Sequence, residues 1–156
     1  MQNESQYDLD RMEAEVDAEQ YVGEDIMQAG HGVILPLANS IGMEDSDLFT
    51  GNEFVEMDLT IMRSLKPERS FIVTRPGWET SQGATMELAE AQRLGWGWIN
   101  LAALEPEEFW VQLKHVLDTM GPCTFYVAGK YRHWATADVV SDQEKEQDSA
   151  NCLDSE

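Results

Sequence analysis

Two carboxylates stand where apolar side chains are expected. Glu87 shares a helical face with Ala84, Leu88, Ala91 and Leu94, a face that should point at a sheet. Asp58 falls in line with Phe54, Ile61 and Leu65. Burying a carboxylate is costly unless it has partners or a purpose. Each has an ordinary explanation: Glu87 as a first-turn acid favoured by the helix dipole, Asp58 as a boundary position reaching solvent. Near strand ends, the two together suggest a pair in which one acid acts on a carbon centre and the other moves a proton.

The stretch "RPGWETSQGATMELAEAQRLGW" (75–96) carries most of this chemistry. A strand ends at Thr74, and a loop leads through Ser81 and Gly83 into a helix. In open α/β sheets, ligands bind at the carboxyl ends of strands. A helix N-terminus there offers unpartnered N–H groups to an anion. Gly83 lets backbone approach a ligand closely; Ser81 either caps the helix or donates to a phosphate. Trp78 either stacks on a base or packs under its own loop. Lys130, Arg132 and His133 form one of the few basic clusters, suited to a phosphate or carboxylate ligand or simply to the surface. His31 and His115 have no metal-ligand spacing and read as surface or helix residues, so no metal or cofactor is expected. Trp96, Trp98 and Trp110 read as core.

These residues need elements to position them. Apolar spacing predicts helices over 8–29, 52–65, 84–94 and 106–119. Pro106 suits a helix start, and Gly30 and Gly95 suit helix ends. "HGVILPL", stopped by Pro36, "SFIVT" (70–74), "WGWINL" and "CTFYVAG" read as strands. "ANSIGMEDSDLFTGN" reads as a loop. Strict alternation implies a doubly wound, Rossmann-like parallel sheet of about five strands with helices on both faces. The expected organisation is one domain over 1–140 and an acidic disordered tail over 141–156.

Thirty acidic against ten basic residues give a formal charge of −20. Such a field repels nucleic acid and anionic membranes. It serves solubility, a basic partner or DNA mimicry. No apolar run approaches the roughly 18–20 residues that span a bilayer, and the polar, acidic start is unlike a signal peptide. Cys123 reads as a small core residue and Cys152 as a free thiol, so a cytoplasmic setting is expected.

"TSQGATMELAEA" resembles the signature of the nucleoside 2-deoxyribosyltransferase-like superfamily, in which a Gly precedes a Glu by four residues at a helix start. "FVEMDLTIM" resembles that family's preceding helix, with an acid near its middle. "GHGVILPLANS" resembles its second strand and following loop, and "RPGWETSQG" resembles uncharacterised, often phage-borne, branches. The likeness covers most of residues 8–101. The family implies a first strand ending in a Gly-x-Tyr-Arg-like loop, absent from the N-terminus here. "FYVAGKYRHW" (125–134) resembles it. The resemblance therefore implies circular permutation, with this strand last in sequence but central in the sheet. An ordinary fifth edge strand and exchange between protomers are the alternatives. If permuted, Gly129, Lys130, Tyr131 and Arg132 line the same crevice as Ser81 and Glu87.

The resemblance implies cleavage or transfer at the N-glycosidic bond of a nucleoside or nucleoside 5′-monophosphate. Glu87 would attack or stabilise the anomeric carbon, and Asp58 would donate a proton or orient the sugar. Ser81 and the helix N-terminus would hold a 5′-phosphate. Subunit-shared sites would make a homo-oligomer. The alternatives are a nucleotide-derivative binding protein without turnover and an acidic interaction scaffold.

Overall fold

The structure is a computed structural model, and it describes residues 4–40 and 51–129. In chain order it contains helix α1 (Glu4–Gln28), strand β1 (Gly32–Ile34), the short helix α2 (Pro36–Ser40) and helix α3 (Gly51–Arg63). Strand β2 (Ser70–Thr74), helix α4 (Gln82–Leu94) and strand β3 (Gly97–Asn100) follow. Helix α5 (Pro106–Met120) and strand β4 (Thr124–Val127) complete it.

Four strands are found among the described residues, not five. They are all parallel, in the order β1-β4-β2-β3. The last strand in sequence thus lies inside the sheet, pairing Phe125 with Val33 on one side and with Phe71 on the other. An edge position is excluded. Counted from β4, the order reads 2-1-3-4, the start of a common doubly wound arrangement.

The placement of the helices follows from the handedness of parallel crossovers. The path β1–α3–β2–α4–β3 advances one way across the sheet, so α3 and α4 share a face. The step β3–α5–β4 runs back, so α5 covers the other face. The two cores agree. Ile26, Phe109, Leu113 and Val116 of α1 and α5 pack with Val73, Phe125 and Val127. Val55, Leu59, Met62, Ala84, Leu88 and Ala91 of α3 and α4 pack with Ile72, Tyr126 and Ala128. Strand alternation therefore aims Tyr126 at α4 while its neighbours Phe125 and Val127 face α5.

Several local expectations change. Pro36 does not merely stop β1; it opens α2, where its missing N–H costs nothing. His31 is buried, not a surface residue. Its Nε2 hydrogen-bonds the Leu113 carbonyl at 2.9 Å, and its Nδ1 accepts from the Cys123 N–H at 3.0 Å. The second contact leaves the ring proton on Nε2. Trp96 is core, but Trp98 is 42% exposed on an edge strand and Trp110 41% exposed on the outer side of α5. Cys123 is buried as expected. Residues 141–156 and Cys152 lie outside the described residues. No helix among the described residues is long and apolar enough to cross a membrane.

Candidate functional site

The strand order reverses between β4 and β2, which sets their carboxyl ends side by side, and Ser81, Glu87, Asp58 and Gly129 converge there. Ser81 is the N-cap of α4: its Oγ accepts from the Ala84 N–H at 3.2 Å. The same hydroxyl donates to the Gly129 carbonyl at 3.3 Å. Of the two roles considered for Ser81, the cap is the one seen. A further ladder contact, Ala128 N–H to the Val73 carbonyl at 2.9 Å, holds the end of β4 against β2. Gly83 is buried in the first turn of α4.

Glu87 is the sixth residue of α4 and so lies beyond its first turn, which contains no acid. The first-turn explanation therefore fails; the side chain is fully buried. One carboxyl oxygen accepts from the Tyr126 hydroxyl at 2.6 Å, the other from the Gly129 N–H at 2.9 Å. Asp58 of α3 is also fully buried, so it is no boundary residue reaching solvent. It hydrogen-bonds Glu87. Burial first, and then the Asp58 charge, push the Glu87 carboxyl well above the usual range, against the Tyr126 and Gly129 donors. Two carboxyl groups in hydrogen-bond contact share a proton. The Tyr126 and Gly129 donors oppose that rise without reversing it, so Glu87 holds its proton well above the usual carboxylate range.

Three further residues that sequence reading passed over belong to the cluster. Tyr126 reads as core by pattern, and only the register of β4 reveals its hydroxyl's role. Glu19 is fully buried on α1. It repeats the anomaly of Glu87 and Asp58, an acid among Val16, Val22 and Ile26, and could have been found by the same argument. Burial, reinforced by the Asp58 charge, raises its carboxyl to about 8, although Arg75 favours the ionised form. The Leu37 and Ala38 amides of α2 also favour the charge. Arg75, directly after β2, is buried and ion-paired to Glu15 at 2.9 Å.

Trp78 packs edge-on against Trp98 of β3, ring centres 5.8 Å apart, and borders the core beneath α3 and α4. Lys130, Tyr131 and Arg132 lie outside the described residues. A cavity of about 360 Å³ lies at the opposite, amino-terminal ends of β2 and β4, lined by Lys66, Arg69, Ser70, Pro122, Cys123 and Thr124, and none of these acids lines it. Among the described residues no group of His, Cys, Asp and Glu is arranged to hold a metal ion.

Comparison with protein-family models, with curated proteins and with solved structures yields no match.

Proposed function

We propose that the protein cleaves or transfers at the N-glycosidic bond of a nucleoside or nucleoside 5′-monophosphate. The observation that carries this reading is the Glu87–Asp58 pair, fully buried at the carboxyl end of β2 and β4. Such a strand-order reversal is where doubly wound sheets bind ligands. The interior position of β4 and the resemblance of "TSQGATMELAEA" support the same reading, as does permutation of the family's first strand to the chain's end.

The chemistry requires the pair's proton to pass from Glu87 to Asp58 before the bond breaks. Glu87, then charged and aimed by two donors, faces the anomeric carbon, where positive charge develops as the base departs. Asp58 gives its proton to the leaving nitrogen as the C–N bond breaks. Water or an acceptor hydroxyl then adds at that carbon and returns a proton to Asp58. Glu87 either bonds covalently in between or stabilises the cation electrostatically. The reading needs no cofactor and takes the protein to be a cytoplasmic homo-oligomer.

The rival is a binding protein without turnover. It draws on the fact that both Glu87 oxygens already hold protein donors. The deciding experiment incubates the protein with nucleosides and their 5′-monophosphates and looks for free base by chromatography. Release by wild type is expected; ligand binding without any release would overturn the enzymatic reading.

A further inference from the structure

Buried polar groups at the β2–β4 switch point hold hydrogen-bonding capacity that the described residues leave unused. Among those residues neither carboxyl oxygen of Glu19 has a hydrogen-bond partner, nor has Nε of Arg75. Glu19 is fully buried and Arg75 is 6% exposed. Native proteins seldom leave such groups unmatched, and each case calls for a bound water, ion or ligand. Helix packing does not explain Glu19, because an apolar side chain between Val16 and Val22 would hold α1 better.

We propose that Glu19 and Arg75 clamp two adjacent hydroxyls of the ligand's sugar, so that the preferred substrate is a ribo- rather than a 2′-deoxyribo-compound. This rests on the nucleoside reading of Glu87 and names the sugar. A vicinal diol donates two O–H groups in parallel to the two oxygens of one carboxylate, and its lone pairs accept from the guanidinium Nε–H. A 2′-deoxy sugar supplies a single donor and leaves one Glu19 oxygen buried and unpaired, the kind of mismatch that discriminates strongly. The arrangement suits this role. Arg75 is ion-paired to Glu15, one turn before Glu19 on the same helix, and Glu19 lies within electrostatic reach of Asp58, so the clamp adjoins the acid pair assigned to the glycosidic bond.

Diol binding also changes the proton inventory. Glu19 faces Asp58 of α3, Arg75 after β2 and the Leu37 and Ala38 amides of α2, with Glu15 on its own helix paired to Arg75. In the free protein it keeps its proton up to about pH 8. Two hydroxyl donors favour the carboxylate, so binding at neutral pH releases a proton.

The test is calorimetry on the full chain with adenosine, guanosine, cytidine and uridine and their 2′-deoxy counterparts, in two buffers of different ionisation enthalpy. Wild type is expected to bind the ribonucleosides at least about tenfold more tightly and to release a proton. Glu19→Gln should bring the two series near parity and abolish the release. Glu87→Gln should keep the preference. Arg75→Lys, which retains charge but loses Nε–H, should weaken the preference in a chain whose acids are untouched, and so serves if Glu19→Gln fails to fold. Undiminished preference in both the Glu19 and Arg75 variants overturns the clamp. A wild-type preference for deoxynucleosides overturns it while leaving the N-glycosidic reading in place. Binding of no nucleoside, and of no nucleoside 5′-monophosphate in the same titrations, overturns both.

Discussion

Tyr126 and Gly129 present two donors to one buried carboxylate, and that arrangement makes specific demands on variants. Glu87→Gln should lower base release by about 10²–10⁴-fold while leaving nucleoside affinity within a few-fold, because the lost charge matters when the anomeric carbon turns cationic. Chromatographic rates paired with calorimetry check this. Tyr126→Phe removes a donor that favours the Glu87 charge. The carboxyl then ionises at still higher pH, so the limb of the rate–pH profile that rises with Glu87 ionisation should move to the alkaline side. A profile that stays in place would remove Tyr126 from the mechanism. Glu19 has a stability consequence. Its carboxyl binds a proton more tightly when folded, about 8, than at its ordinary value of 4.5. Its contribution to stability is therefore fully present below 4.5 and is lost as pH rises through about 8. Glu19→Gln should melt above wild type at alkaline pH and converge with it in acid. Thermal melts across that range give the answer.

At the scale of elements, a few side chains tie strand ends to helices. His31 joins α5 to the start of β4 through the Leu113 carbonyl and the Cys123 N–H. His31→Ala leaves both groups buried without those partners and should cost about 2–4 kcal/mol in urea unfolding. Ser81 does related work at the other end of the strands, capping α4 and holding the Gly129 carbonyl. Ser81→Ala should cost about 1 kcal/mol as a lost cap. Arg63 of α3 and Arg93 both bind Glu90 of α4, and these two guanidiniums hold its carboxyl down to about 2. Both arginines are well exposed, so solvent screens these pairs; Arg63–Glu90 spans the two helices that carry Asp58 and Glu87, whereas Arg93–Glu90 lies within α4.

The whole molecule is a sheet whose middle is filled by the end of the chain. Helix α1 lies on the face of α5, which is where a right-handed connection from β4 to β1 would put it. A rearranged gene that begins at Pro122, runs through residue 156 into Met1 and ends at Gly121 should therefore fold to the same far-UV spectrum with a cooperative melt. An unfolded product would mean that the order in which the strands are made is essential. The −20 charge acts at this scale too. Added salt should raise the melting temperature by screening self-repulsion.

Periodicity was enough to place four helices and four strands, because apolar spacing reports which face of an element is buried. It was also enough to mark Glu87 and Asp58, since an acid on an apolar face stands out in one dimension. Tertiary structure decided what lies opposite them. Tyr126 is indistinguishable from a core aromatic until the β4 register aims its hydroxyl at Glu87. Glu19 and Arg75 belong to segments 56 residues apart in sequence, and only the docking of α1 beside the end of β2 makes them neighbours. Local pattern likewise treated His31 as a surface or helix residue, whereas it is buried and its two hydrogen-bond partners come from Leu113 and Cys123. An element's buried face is encoded locally by residue spacing; a hydrogen-bond partner is set by chain topology, which spacing does not carry.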